Sequence, residues 1–390
     1  MIDMVDPSLG ERICDPACGT GGFLVNAYLH ILKEQTSADI LRFEADGSAL
    51  HAYGDKLTPE QIEALRSNHL YGFDFDRTMV RLSWMNMIQH GMRDPQMNYA
   101  DTLGSRFNET ITSGAIELFD IVLANPPFTG SIDKDDVGNS LQNLGTTKTE
   151  LLFVELILQL LHVGGRAAVI VPEGLLFGST RAHMSLRRKL IEENQLNAVI
   201  SLPGGVFQPY TGVKTSILLF TRGSRTEEVW FYELQSDGYS LDAKRDRRPE
   251  RSDLWDVIAK YRARFSDERP AFLDNETWQN WRNASDEERA QNYLKPQFGT
   301  EALEVGNETI DTPILQSFEV SSLEVPRDWT ASAQQIAENG YNLSAGRYKP
   351  MYIGTEQHDP PSVIVHELLS IEQEIQDGLQ KLLRMVEGEE

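Results

Sequence analysis

Between residue 11 and about residue 222, short β-branched or apolar runs alternate with amphipathic stretches long enough to be helices. Strand candidates are Arg12–Cys14, His69–Phe73, Phe119–Ala124, Arg166–Pro172, Leu196–Leu202 and Ser216–Thr221. Helices fit Gly22–Lys33, Pro59–Ser67, Arg77–His90, Glu150–His162 and Arg181–Glu193. Such an alternation predicts an α/β sheet with helices packed on both faces. The helix at Pro59 has the clearest start signal: Thr58 precedes Pro59-Glu60, and Gln61 stands at the capping-box position. Asp76 reads as the N-cap of the helix beginning at Arg77. With 390 residues, 40% of them hydrophobic, the chain can bury a full core and hold more than one domain.

Open α/β sheets bind ligands at the carboxyl ends of their strands. The first strand here ends in Asp15-Pro16-Ala17-Cys18-Gly19-Thr20-Gly21-Gly22. The glycines let the backbone turn sharply and approach a ligand with no Cβ in the way. A dinucleotide pyrophosphate is one possible occupant, but the spacing is not G-x-G-x-x-G, and bulky Phe23 and Leu24 follow. An acidic Asp15 would repel a pyrophosphate, yet it suits the ammonium and sulfonium groups of S-adenosylmethionine. At the next strand end, Tyr71-Gly72-Phe73-Asp74, the Asp74 carboxylate is placed to accept both ribose hydroxyls. Asp101, in Ala100-Asp101-Thr102-Leu103, can hydrogen-bond the cofactor adenine or simply form its own turn.

The strand Phe119–Ala124 runs into Asn125-Pro126-Pro127-Phe128. An exocyclic amine on adenine is a poor nucleophile, because its lone pair is delocalised into the ring. The Asn125 side-chain oxygen and the Pro126 carbonyl can each accept one amino hydrogen, drawing the nitrogen toward tetrahedral geometry. Two prolines fix φ, and Pro127 offers no competing N–H, so the acceptor carbonyl is held rigidly. Phe128 can stack on a base extruded from the duplex. No strong general base is needed, since methylation itself acidifies the nitrogen; proximity and in-line alignment carry the rate.

Other stretches constrain less. Residues 129–148 are polar and glycine-containing, and read either as a mobile loop over the site or as a surface insertion; residues 35–57 are a further polar insertion. The basic run Arg181 to Lys189 is either a phosphate contact or a solvated helix face. Past residue 225 the composition shifts, with a charge run from Asp242 to Arg251. Val365, Leu368, Ile371, Ile375, Leu379, Leu382 and Val386 then mark an amphipathic helix that docks on its own domain or on a partner. The resulting division is a catalytic domain over 1–225, a mixed extension over 226–330 and a helical tail over 331–390, the last a candidate subunit contact. Cys14 and Cys18, the two cysteines, read as small buried side chains; two thiols alone make no zinc site, and no metal is expected. No apolar run approaches a membrane span and no signal-peptide layout is present, so a soluble cytoplasmic protein is expected. A net charge of −23 is unusual for a chain that holds DNA alone, and implies local basic patches or a partner that supplies the grip.

The glycine loop preceding an Asn-Pro-Pro-aromatic clamp resembles the amino-methyltransferases. Within them, Asp15 to Leu24 resembles the modification (M) subunit of type I restriction–modification systems. Arg166–Phe177 is similar to that family's fifth-strand region, and Leu202-Pro203-Gly204-Gly205-Val206-Phe207 with Lys214 to Leu218 to its late hairpin. Tyr341-Asn342-Leu343-Ser344 and Arg347-Tyr348 resemble a signature near its C-terminus. The resemblance implies a Rossmann-like S-adenosylmethionine-dependent methyltransferase sheet with a mixed, mostly helical C-terminal region. It further implies N6-adenine methylation of DNA, and assembly with a specificity subunit and a restriction subunit. It places Asp15, Ala17, Gly19, Thr20, Gly21, Asp74, Asp101 and Leu103 on cofactor positions and Asn125, Pro126, Pro127 and Phe128 on the catalytic clamp. Phe207 would help wall the base pocket. Family members carry a helical N-terminal region ending in a Thr-Pro-Arg-type segment, whereas Asp15 here lies close to Met1, so a truncated M subunit is expected. Two rival readings are a methyltransferase acting on another amine or amide (an RNA base or protein glutamine) and an inactive scaffold subunit.

Overall fold

A computed structural model describes residues 1–43, 49–248, 251–265 and 326–350. The chain divides into two units, Met1–Ile310 with Pro326–Lys349 and Asp311–Val325 with Pro350–Glu390; all the elements that follow belong to the first. The amphipathic stretch from Val365 to Val386 lies outside the described residues.

The strands are β1 (Ile13–Asp15), a short hairpin of β2 (Arg42–Phe43) and β3 (Ala49–Leu50), β4 (Leu70–Asp74), β5 (Gln96–Tyr99) and β6 (Phe119–Ala124). They continue with β7 (Leu161–Pro172), β8 (Gln195–Ser201), β9 (Thr215–Thr221), β10 (Glu228–Glu233) and β11 (Asp328–Ser332). All but the hairpin join in one sheet, ordered β11-β10-β8-β9-β7-β6-β1-β4-β5. β5, β4, β1, β6 and β7 run parallel, and β9 is antiparallel to both β7 and β8. The chain builds β1, β4 and β5 outward on one side, then crosses to β6 and β7 on the other. The order therefore reverses between β1 and β6.

Ten α-helices and two short 3-10 turns complete the described residues: α1 (Ile2–Val5), α2 (Gly22–Glu34), α3 (Pro59–Ser67), α4 (Arg77–Gln89), α5 (Ser105–Thr112), α6 (Thr149–Leu160), α7 (Glu173–Phe177), α8 (Arg181–Glu192), α9 (Leu254–Phe265) and α10 (Ala333–Glu338), with the turns at Gln142–Leu144 and Ala345–Arg347. No described helix is long and apolar enough to cross a membrane. The side-chain alternation of the central strands feeds two cores. Val122, Ala124, Val169 and Leu218 meet α6 and α8 on one face; Ile121, Leu123, Ala168 and Leu219 meet α2 and α9 on the other. Burial on both faces explains why β6 reads as a nearly continuous apolar run. Each such Leu or Ile contributes about 1.5–3 kcal/mol by leaving water.

Element starts follow local chemistry. Thr58 and Gln61 form the reciprocal capping box at α3, and the Asp76 side chain accepts from Thr78 N at 2.7 Å at the start of α4. β7 begins earlier than Arg166 because Leu161 already pairs with Phe119, ahead of a register shift. The sheet also continues past residue 225. β10 pairs parallel with β8, and β11 pairs antiparallel with β10. The run Val229 to Tyr232 is buried, but charged neighbours dilute its apolar signal in the sequence.

Two polar stretches prove to be structural. Within residues 129–148, Val137 and Leu141 are buried and Gly138 N donates to Leu103 O at 2.8 Å, so the segment is anchored against α5 rather than free. Two cations of the basic run on α8 are used internally, while Arg181 and Arg188 stay exposed. Arg187 is buried and donates to Leu175 O (2.9 Å), Gly178 O (2.9 Å) and Tyr341 O (2.6 Å). Lys189 pairs with buried Glu155 at 2.6 Å. These bonds hold the segment carrying Tyr341 to Tyr348 against the sheet, where Tyr348 stacks on Phe231 and Leu343 N donates to Leu176 O at 2.9 Å.

The amino ends of the strands are closed by ion pairs. Arg166 donates to Glu11, to Val5 O and to Asp6 O, fixing the segment after α1. His30, buried on α2, lies 2.8 Å from Asp6 and 3.6 Å from Asp3, and Arg262 of α9 pairs with Asp6 at 2.6 Å. His162 meets Asp120 at 2.6 Å.

Candidate functional site

β1 delivers Asp15 to the carboxyl edge of the sheet, where the carboxylate is 2% exposed and accepts from Ala17 N at 3.0 Å. Burial pushes this carboxyl up to about 7, the Ala17 N–H opposes the shift, and the charge of Asp74 adds to it. With no cation beside it among the described residues, this buried carboxylate can seat one. The loop then turns through Gly19 and Gly21, both with positive φ (52° and 79°). A Cβ at Gly21 would press on Ser83 at 3.2 Å, so α4 packs directly beneath the turn. Thr20 is exposed, and its carbonyl accepts from Asn86 Nδ2 at 2.9 Å.

Asp74, at the end of β4, ties this loop to the neighbouring strand. One of its oxygens accepts from Gly19 N at 2.9 Å and the other from Asp76 N at 2.8 Å. Asp101 is exposed and forms its own turn, accepting from Leu103 N at 3.2 Å. Leu103, expected among the cofactor contacts, has its side chain packed into the core with Phe107. Its polar role is the carbonyl that anchors Gly138.

Ile13 pairs with Ile121 and Cys14 with Val122, so β1 and β6 are direct neighbours and end side by side. The Asp15 loop and the Asn125 turn, far apart in sequence, thus meet at the point where the strand order reverses. Adjacent strands lie about 4.8 Å apart. Asn125 and Pro127 are exposed, Pro126 is buried, and Phe128 is half-buried. The amide of Asn125 makes no hydrogen bond among the described residues. The Phe128 ring meets Phe207 edge-on, with centroids 5.2 Å apart and planes at 66°. Phe207 comes from the loop between β8 and β9, so that loop reaches over to the clamp.

Several contributors carried no readable signal. Ser83 and Asn86 support the glycine loop from α4 at helical spacing, and Thr102 donates to Pro16 O at 3.1 Å. Phe75, directly after Asp74, is 72% exposed and offers a flat apolar face at the same edge. Cys14 and Cys18 are free and buried, with burial pushing the Cys18 thiol up to about 12; neither is poised as a nucleophile.

The donor set fits S-adenosylmethionine. Asp15 would offer negative charge to its cations, Asp74 at the neighbouring strand end would meet its ribose, and at Gly19 a Cβ would meet nothing within 4 Å. A sheet so ordered, with these groups at its reversal point, has the S-adenosylmethionine-dependent methyltransferase fold. The chain belongs to the N-6 DNA methylase family, whose model matches residues 1–301. It is 37% identical over 234 residues to the methylase subunit of the type I restriction enzyme EcoEI of Escherichia coli, a match covering 60% of this chain and 42% of that protein. It is 29% identical over 248 residues to the EcoKI methylase subunit of Escherichia coli strain K12, covering 61% and 42%. The chain thus spans less than half the length of these relatives. Among solved structures, it superposes with TM-score 0.58 and 28% identity on a chain from a type I R-M system, covering all of this chain and 64% of that one. The EcoKI M protein shares the fold, with TM-score 0.58, 23% identity and coverage of 99% and 71%.

Proposed function

We propose that this chain transfers a methyl group from S-adenosylmethionine to the N6 amino group of adenine in DNA. It would act in the cytoplasm as the modification subunit of a type I restriction–modification system, beside a specificity subunit that reads the sequence and a restriction subunit that cleaves. The observation that carries this reading is the adjacency of the Asp15 loop and the Asn125–Phe128 turn on neighbouring strand ends. Bound at the glycine loop, the cofactor would supply an electrophilic methyl group.

The residues of the chain do the rest. Asp15 receives the cationic end of the donor, and Asp74 its ribose. The Asn125 side-chain oxygen and the Pro126 carbonyl accept the two amino hydrogens and turn the nitrogen lone pair toward the donor. Phe128, braced by Phe207, stacks on the base and keeps water out. A tritiated-methyl assay with DNA, RNA and a protein extract as acceptors tests the reading. Label in DNA is expected, and label in protein alone would sink it. Calorimetry with S-adenosylmethionine separates an active subunit from a scaffold, because a scaffold would not bind at millimolar cofactor.

A further inference from the structure

The charge run beginning at Asp242 sits on the loop that braces the clamp. Residues 237–248 form a small hairpin: Tyr239 bridges Arg247, and Ser240 N donates to Asp246 O at 2.8 Å. Arg245 is its internal pin. It pairs with Asp237, lies over the Tyr239 ring at 5.2 Å, and donates to Ser240 O at 3.0 Å and Gly205 O at 3.5 Å. Gly205 has φ of 95°, and a Cβ there would collide with the Leu241 carbonyl, so hairpin and loop are in close contact. Two residues on, Phe207 touches Phe128. The same loop presents Tyr210, 93% exposed. Lys244 and Arg248 are exposed on the hairpin, while Asp242 accepts from Lys244 N and Ser240 Oγ within its own turn.

From these contacts we infer that the 237–248 hairpin and the β8–β9 loop form the surface that holds the DNA strand on either side of the target base. Lys244 and Arg248 face its phosphates, and Tyr210 stacks on a flanking base. The inference rests on the proposed DNA reading and adds the place of contact. An adenine seated against Phe128 brings its own phosphates with it, and the chain as a whole, at −23, repels them. Somewhere beside the clamp that repulsion must be offset. The hairpin joins the loop at Gly205, two residues from Phe207, which sets its cations near the clamp on the scale of one turn of duplex, ~34 Å. An exposed ring beside them supplies the sequence-tolerant stacking that unpaired bases use.

The test is salt-dependent binding of the full chain to a short DNA duplex, compared between wild type and a Lys244→Gln, Arg248→Gln double variant. Two lost phosphate contacts should flatten the slope of log affinity against log salt by roughly 1.8. The KM for DNA should rise, with kcat at saturating DNA, cofactor affinity and melting temperature unchanged. The charge-conserving pair Lys244→Arg, Arg248→Lys should restore the slope. An unchanged slope in the glutamine variant overturns this surface, and does so also if that variant instead loses co-purification with a protein partner. A wild-type chain that neither binds duplex in a salt-dependent way nor methylates DNA, both alone and with a specificity subunit added, overturns the proposed function itself.

Discussion

The two ends of the sheet treat charge in opposite ways. At the amino ends, ionic groups are matched: Arg166 with Glu11, Asp120 with His162, His30 with Asp3 and Asp6, and Arg262 with Asp6. At the carboxyl ends, Asp15 is buried without a cation and the Asn125 amide is left open, among the described residues. The amino end spends its polar groups on holding the chain; at the carboxyl end Asp74 and the Glu173–Lys214 pair do the same, and Asp15 and Asn125 are the exceptions that stand open to something that is not part of the chain. Polar residues are common at both ends, so what separates support from function is whether their partners are already present.

Four substitutions or titrations press on that contrast. Asn125→Ala should lower methyl transfer by on the order of 10²–10³-fold, as removal of one preorganised hydrogen-bonding group does, with cofactor affinity and melting temperature intact. Loss of all three would place Asn125 with the supporting groups instead. Arg187→Met should reverse the pattern, costing about 2–4 kcal/mol in a denaturant titration, because three carbonyls lose a charged donor in the interior. Asp15 should make cofactor binding pH-dependent. Its carboxyl is raised to about 7, so below that pH it is protonated and offers no negative charge. Affinity measured by calorimetry should weaken as pH falls from 8 to 6, by up to about tenfold per unit, and Asp15→Asn should be weak and flat. The smallest effect belongs to His30. Burial works against its charge, but the hydrogen bonds it donates to the Asp3 and Asp6 carboxylates outweigh it and raise the pKa from 6.5. Its contribution is full below the unfolded value and is lost as pH rises through the higher folded one. Melting curves of wild type should therefore decline across that window relative to His30→Gln.

Much of this was legible in the sequence, for identifiable reasons. β6 and α3 match their expected bounds, because an unbroken apolar run and a capping box are local signals. The glycine loop and the Asn-Pro-Pro turn were readable because backbone geometry restricts which residues fit there. The resemblance implied only that Phe207 helps wall the base pocket; its contact with the Phe128 ring comes from the fold. What escaped depends on pairing at a distance. β10 and β11 become strands through each other and β8, and Arg187 on a basic run becomes interior only when Leu175, Gly178 and Tyr341 fold around it. Residues 129–148 look like a free loop by composition, since two buried side chains and a backbone bond to Leu103 leave almost no trace in it.

The edge strand β11 has an effect beyond widening the sheet. α9 ends at Phe265 and β11 begins at Asp328, yet Lys260 meets Asp328 at 2.8 Å and Arg327 meets Asp253 at 2.5 Å. At the other end of the same helix Arg264 meets Glu228, which pairs with Ser332. α9 therefore clasps the sheet edge along its length, and a one-residue slip of β11 on β10 would break the Lys260–Asp328 and Arg327–Asp253 pairs as well as the ladder.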